Sequence, residues 1–127
     1  MIFCNEMEAQ AAGEHMNFGN NLEDIARAFA TFPKATKDEI DAASGTPGNR
    51  TVIFTQGKHP ALVIHNGQIQ YYPVTKYLVP KERIVDTNGA GDAFVGGFLA
   101  SVCRSITAQP SNGRPVIDMK RALNAGE

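Results

Sequence analysis

The stretch that decides the fold is residues 86–99, which read DTNGAGDAFVGGFL. An apolar run at 78–85 precedes this stretch and predicts a buried strand. After Asp92, apolar residues recur at helical spacing and predict a helix. Gly89 and Gly91 permit a tight turn between the two and leave backbone N–H groups uncovered at the start of the helix. The helix macrodipole adds about half a positive charge at that end. The stretch therefore predicts a strand, a turn that forms an anion hole, and a helix.

Asp92 lies in the first turn of this predicted helix, beside the predicted anion hole of Gly89, Ala90 and Gly91. A carboxylate in that position accepts the proton of an attacking hydroxyl while the N–H groups stabilise a phosphoryl group in transfer. The turn alone fits equally well an ordinary glycine turn in which Asp92 caps the helix. Two familiar phosphate-binding motifs are excluded, because Phe94 occupies the third glycine position of a Rossmann fingerprint and the chain has no Gly-Lys-Ser or Gly-Lys-Thr.

The rest of the chain alternates strand and helix patterns, which predicts an α/β fold. Asn66-Gly67 separates two apolar runs and predicts a hairpin at the margin of the sheet, because both residue types tolerate a positive φ. Thr51–Thr55 predicts a strand that is buried on both faces. The other predicted elements are strands at 2–5, 51–55, 61–65 and 68–72, and helices at 6–16, 22–32, 92–105 and 119–125. Asn20 or Asn21 is expected to cap the second helix, and Asp118 the last one.

Composition excludes several functions. The 127 residues include 12 Lys and Arg against 13 Asp and Glu, so no basic surplus indicates a nucleic-acid partner. No apolar run approaches the ~18 residues of a membrane span, and the first residues lack the features of a signal peptide. Cys4 and Cys103 lie in apolar runs, which predicts two buried thiols and a cytoplasmic location, with the nucleus as an alternative. Since the chain opens in a strand and closes in a helix, we expect residues 1–127 to form a single partial domain.

Residues 86–99 resemble the C-terminal signature of the ribokinase-like (PfkB) carbohydrate kinases. Within that signature, Asn88 after Asp-Thr and the continuation at 93–99 resemble the sequence of the adenosine kinase branch of the family. Asn5-Glu6-Met7-Glu8 resembles the Asn-x-x-Glu motif of the family, and Thr55-Gln56-Gly57 resembles its Thr-x-Gly motif. Each short motif also has a purely structural explanation, the first as a capping box and the second as a strand end with a turn glycine. Their order upstream of the longer string favours the family.

The resemblance implies a ribokinase-like three-layer α/β/α fold with a mostly parallel sheet and an edge hairpin. It implies ATP-dependent phosphorylation of the 5′-hydroxyl of adenosine to give AMP, in the manner of purine salvage. Another nucleoside or a sugar remains an alternative acceptor, and a nucleotide-binding fragment without catalysis is an alternative function. The site is expected at the carboxyl ends of the strands, where Asn5, Thr55 and the Gly89–Asp92 turn all fall.

The resemblance also implies the roles of the residues that face the hydroxyl group that accepts the phosphoryl group. Asp92 would be the catalytic base, and the backbone amides of Gly89, Ala90 and Gly91 would form the anion hole for the migrating phosphate. The N-terminal portion of the family, which grips the sugar hydroxyls, lies outside this chain. We therefore expect the isolated chain to be inactive or nearly so, because positioning of the acceptor supplies much of the rate.

On the donor side, the resemblance implies that Asn5 and Glu8 organise Mg²⁺ and the ATP phosphates largely through water, so no direct protein ligand to the metal is assigned. Thr55, Gly57 and Asn88 would contact ATP. A monovalent-cation site beside the anion hole is implied by two further residues, Asp86 and Thr87. The three histidines have no partners at metal-ligand spacing and are predicted at the surface or rim.

Overall fold

The computed structural model describes residues 1–32, 50–73, 89–107 and 117–126. The chain divides into two compact units, residues 1–73 and 74–127. The first unit contains β1 (Ile2–Asn5), α1 (Glu6–His15), α2 (Leu22–Ala30), β2 (Val52–Gln56), β3 (His59–His65) and β4 (Gln68–Tyr72). The second unit contains α3 (Ala90–Thr107) and α4 (Met119–Gly126). The strand predicted at 78–85 lies outside the described residues.

The described sheet is mixed and has four strands in the order β1-β2-β3-β4. β1 pairs with β2 in parallel, whereas β2–β3 and β3–β4 are antiparallel. The predicted edge hairpin is confirmed: Asn66 and Gly67 form its turn with φ values of 51° and 76°. Positive φ at both positions matches the turn to the twist of the flanking strands.

β3 begins two residues earlier than predicted, at His59, because β2 and β3 form a second tight hairpin. Gly57 makes this turn possible with a φ of 57°. Pro60 donates no ladder hydrogen bond, and it is accommodated because the register shifts between Phe54 and Gln56. The Gln56 side-chain amide donates instead to the Pro60 carbonyl at 2.7 Å.

The core of the first unit lies between one face of the sheet and helices α1 and α2. It contains alternate residues of the strands and the apolar side of the helices: Ala9, Ile25, Ala26, Phe29, Ala30, Val52, Phe54, Leu62 and Ile64. Ile53, which points to the opposite face of β2, is also fully buried, so the predicted burial of this strand on both faces is confirmed. Of the two predicted caps, Asn21 is the one that caps α2. α2 ends at Ala30 rather than at Phe32, because Thr31 takes the capping position and bonds back to the last turn.

In the second unit, α3 and α4 pack closely through glycine. A Cβ at Gly97 would lie 2.1 Å from the Ala125 carbonyl oxygen, and one at Gly126 would lie 2.6 Å from the Phe94 carbonyl oxygen. Asp118 caps α4 as predicted, since its Oδ1 accepts from the Arg121 amide at 3.0 Å. α3 starts two residues earlier than predicted because Gly91 enters its first turn.

The prediction of two buried thiols is wrong for Cys103, which is exposed on α3 although its sequence neighbours are apolar. Cys4 is partly buried, and both thiols are free. Among the described residues, none of the helices combines the length and the apolar character needed to cross a membrane.

Candidate functional site

Asn5 and Glu8 form the junction between β1 and α1. The Asn5 side-chain oxygen accepts from the Glu8 amide at 2.8 Å, and Glu8 Oε2 accepts from the Asn5 amide at 2.8 Å. This is a complete capping box, so the structural explanation of the motif holds. Both residues are nevertheless exposed, and the second oxygen of the Glu8 carboxylate is not used by the box. The junction can therefore cap the helix and still offer oxygen ligands to solvent.

The charge of Glu8 reaches the neighbouring strand. Burial raises the pKa of the Cys4 thiol, and the negative Glu8 carboxylate raises it further. The thiol is therefore held in its protonated form, which is a poor nucleophile and a poor metal ligand. Cys4 consequently contributes packing to this junction rather than chemistry.

The parallel pairing of β1 and β2 places Asn5 directly beside Thr55. Both lie at the carboxyl ends of their strands, which is where ligands bind in open α/β sheets. Gly57 follows at once in the turn after β2, is exposed, and has no atom within 4 Å of the position a Cβ would take. The structure thus brings the Asn-x-x-Glu motif at 5–8 next to the Thr-x-Gly motif at 55–57. The backbone at Gly57 is accessible from solvent.

The start of α3 forms an exposed amide cluster. Gly89 has a φ of 75°, in the left-handed region that favours glycine. The first helical hydrogen bond runs from the Ala93 amide to the Gly89 carbonyl at 2.9 Å. The amides of Ala90, Gly91 and Asp92 precede that bond and have no intrahelical partner. The Asp92 amide was not among the donors of the predicted anion hole, which comprised Gly89, Ala90 and Gly91.

The Asp92 carboxylate is exposed in the same first turn. Apart from its chain neighbours and the backbone of its own helix, no described heavy atom lies within 4 Å of a Cβ position at Gly91, so that side of the backbone is open in the described part of the chain. Three amides, the positive end of an 18-residue helix and one carboxylate therefore meet at one turn. Such an arrangement can bind an anion and accept a proton next to it.

Three predicted site residues, Asp86, Thr87 and Asn88, lie outside the described residues, and their roles stay predictions. The Asn5–Thr55 group lies in the first unit and the Gly89–Asp92 turn in the second. That the two groups meet at one edge of a sheet also stays a prediction. Within the described ranges, no group of three or more His, Cys, Asp or Glu side chains is placed to hold a metal ion.

Comparison with known proteins defines the class. Residues 2–119 match the pfkB family carbohydrate kinases, so the chain belongs to this family. Adenosine kinase 1 from Arabidopsis thaliana is 44% identical over 102 residues, which are 80% of this chain and 26% of that protein. Adenosine kinase from Saccharomyces cerevisiae is 35% identical over 128 residues, covering 98% of this chain and 32% of the yeast protein. The chain thus spans about a quarter to a third of the length of these relatives.

Solved structures agree with the fold. The adenosine kinase of Anopheles gambiae, crystallised with P1,P4-di(adenosine-5) tetraphosphate, superposes with a TM-score of 0.68 at 35% identity over 98% of this chain and 31% of the mosquito chain. Ribokinase from Thermotoga maritima superposes with a TM-score of 0.60 at 20% identity over 98% of this chain and 32% of that chain, and this shows the fold alone. The ribokinase-like fold predicted from the sequence is therefore confirmed.

Proposed function

We propose that this chain is the ATP-side portion of an adenosine kinase, which transfers the γ-phosphoryl group of ATP to the 5′-hydroxyl of adenosine and forms ADP and AMP. Its similarity to adenosine kinases of plants, yeast and mosquito supports this function. The observation that carries the proposal is the start of α3, where three amides without helical partners and the Asp92 carboxylate share one exposed turn. Purine salvage is the corresponding cellular role.

Asp92 acts as the base in this proposal. Its carboxylate accepts the proton of the 5′-hydroxyl, and the oxygen attacks the γ-phosphorus of ATP. The bond from that phosphorus to the β–γ bridging oxygen breaks, and ADP departs. The amides of the predicted anion hole, Gly89, Ala90 and Gly91, together with the Asp92 amide, bind the oxygens of the transferring group, whose charge is spread in the transition state. The left-handed conformation of Gly89 lets the chain enter the helix without covering these amides.

The Asn5–Thr55 pair supplies the donor side. Thr55 and Gly57 flank the ATP phosphates, with Gly57 allowing them to approach the backbone. Asn5 and Glu8 fit a role in holding Mg²⁺ through water, because the capping box leaves a carboxylate oxygen of Glu8 exposed and Mg²⁺ keeps several of its waters. When bound with ATP, Mg²⁺ neutralises charge on the phosphates. Asp86, Thr87 and Asn88 remain candidates for the monovalent-cation and nucleotide contacts.

Residues 1–127 act in this mechanism as one partial domain that needs the N-terminal portion of the same kinase to bind the acceptor. The size of the matched share of its relatives supports this dependence. The free thiols of Cys4 and Cys103 support a reducing compartment, and we propose the cytoplasm, with the nucleus as the alternative.

A chimera tests the proposal. In Arabidopsis adenosine kinase 1, the matching segment is replaced by this chain, and ADP release is measured with Mg-ATP and adenosine. The isolated chain is measured beside it. We expect turnover by the chimera and only background release by the isolated chain, because the chain supplies the base and the anion hole but not the acceptor site.

The acceptor is tested on the parent protein with its own N-terminal portion, using adenosine and ribose as substrates. A preference for ribose would retain the family and overturn adenosine as the acceptor. If neither the chimera nor the parent protein releases ADP while both are folded and bind ATP, the chain belongs to a nucleotide-binding protein without kinase activity.

A further inference from the structure

A cavity of about 230 Å³ lies between α3 and α4, within the second unit. Its lining comprises small residues and polar ones: Gly97, Ala100, Ser101, Arg104, Arg121 and Ala125. Arg104 lies 12 residues beyond Asp92 on the same helix, which is about 18 Å along the helix axis at 1.5 Å per residue. The guanidinium-bearing part of the cavity therefore lies about three helical turns from the amide cluster at the start of α3, whereas Gly97 marks the end of the lining nearer to that cluster.

The charge of this cavity is unbalanced. Arg104 projects from α3 and Arg121 from α4, and none of the described residues of the lining is acidic. Within the part of the chain that the structure describes, neither guanidinium group forms an ion pair. Asp118, the nearest acidic residue in sequence to Arg121, caps the helix through the Arg121 amide. Two permanently charged guanidinium groups that share a cavity repel one another, and a bound anion removes that repulsion.

Ser101 adds a neutral donor. Its residue is only 8% exposed, yet it lines the cavity. The Ser101 carbonyl accepts from the Ser105 hydroxyl at 2.9 Å. The hydroxyl of Ser101 can donate to an anion in the cavity, beside the two guanidinium groups.

We propose that this cavity binds the phosphate group of a small phosphomonoester. Guanidinium groups bind phosphate oxygens through paired N–H donors, and two of them with one hydroxyl offer more donors than a carboxylate can accept. The volume falls below the about 300–1,000 Å³ of pockets for drug-sized ligands, which restricts the ligand to a small anion. This site is independent of the phosphoryl transfer proposed above.

The probe for this site is inorganic phosphate, titrated into the ¹⁵N-labelled 127-residue chain at low ionic strength. We expect saturable shifts of the amide signals of Ser101, Arg104 and Arg121. Arg104→Gln and Arg121→Gln should each raise the dissociation constant at least about tenfold, because each removes charge-assisted hydrogen bonds. Lys120→Gln is the matched control, since Lys120 is exposed on α4, carries the same charge and is not part of the lining.

Several results would overturn the site. Shifts confined to residues 89–92 would assign phosphate to the anion hole alone. If Lys120→Gln weakened phosphate binding as much as Arg121→Gln does, phosphate would be attracted by the general positive charge of the helix rather than bound by the cavity. The absence of saturable shifts would show that phosphate does not bind. Because both arginines are exposed, we expect the variants to retain the fold, which circular dichroism checks.

Discussion

Asn5 and Thr55 lie side by side as paired residues of the parallel strands β1 and β2. Each lies at the carboxyl end of its strand. The capping box that begins at Asn5 exposes the Glu8 carboxylate, and the turn at Gly57, which follows Thr55, exposes backbone groups. Two short motifs that are uninformative alone thus become neighbours through one strand pairing. This proximity supports a shared role on the phosphate-donor side.

The dual role of Asn5 is testable, because Asn21 offers a matched control. Both asparagines cap helices, and replacing either with Ala should lower the free energy of unfolding by about 1 kcal/mol. Only Asn5→Ala should also weaken the binding of Mg-ATP. Urea denaturation and calorimetry measure the two effects in the adenosine kinase chimera. Equal loss of nucleotide affinity in Asn21→Ala would make the effect of Asn5 purely structural.

The contact between α3 and α4 predicts opposite effects at adjacent glycines. Gly97→Ala places a methyl group 2.1 Å from the Ala125 carbonyl oxygen, so the helices must separate, at a cost of about 1–3 kcal/mol. Gly96 has open space around its Cβ position, and Gly96→Ala should stabilise the chain by about 0.5–1 kcal/mol. Denaturant midpoints compare the two variants. A Gly97→Ala chain as stable as the parent would contradict the helix packing.

His65 gives the chain a pH-dependent stability. Its Nδ1 and the Oγ1 of buried Thr51 are 2.9 Å apart, and burial lowers the pKa of His65 below its ordinary value of 6.5. The unfolded state therefore binds the proton more readily. This contribution to stability is complete above pH 6.5 and is lost as the pH falls through the lower pKa of the folded state.

Denaturation curves between pH 7 and pH 5 test this prediction. His65→Gln should flatten the pH dependence, whereas the control His59→Gln, at an exposed position, should leave it unchanged. A His65→Gln chain with the same pH dependence as the parent would show that His65 is not its source.

Helices and strands were predicted correctly where a single local sequence feature, such as a turn or a helix cap, determined the structure. Asn66-Gly67 fixed the edge hairpin, and Asn21 and Asp118 marked the starts of their helices. Predictions went wrong where tertiary pairing overrode a local signal. The strand predicted at 61–65 begins at His59 instead, because pairing with β2 continues through Pro60, where a register shift removes the need for a donor. Cys103 was placed in the core because its neighbours are apolar, but it falls on the exposed side of α3.

The candidate site was predictable to a similar extent. The turn at 89–92 was found because glycines before a helix expose amides whatever the surrounding fold. The positions of Asn5 and Thr55 at the carboxyl ends of their strands were predicted, but their direct pairing depends on β1 and β2 being neighbours, which no local pattern encodes. The cavity at Arg104 and Arg121 escaped sequence analysis altogether, because it depends on the close approach that Gly97 and Gly126 allow between two helices.

The central claim is that Asp92 is the base for phosphoryl transfer. The most direct measurement is the single-turnover rate of AMP formation by the adenosine kinase chimera that carries Asp92→Asn, compared with Asp118→Asn. Asp118 is also an acidic residue at a helix start, and Asn caps a helix as well as Asp does. We predict that Asp92→Asn lowers the rate by about 10²–10⁴-fold while ATP binding survives, and that Asp118→Asn retains the parent rate. An unchanged rate in Asp92→Asn would contradict the account.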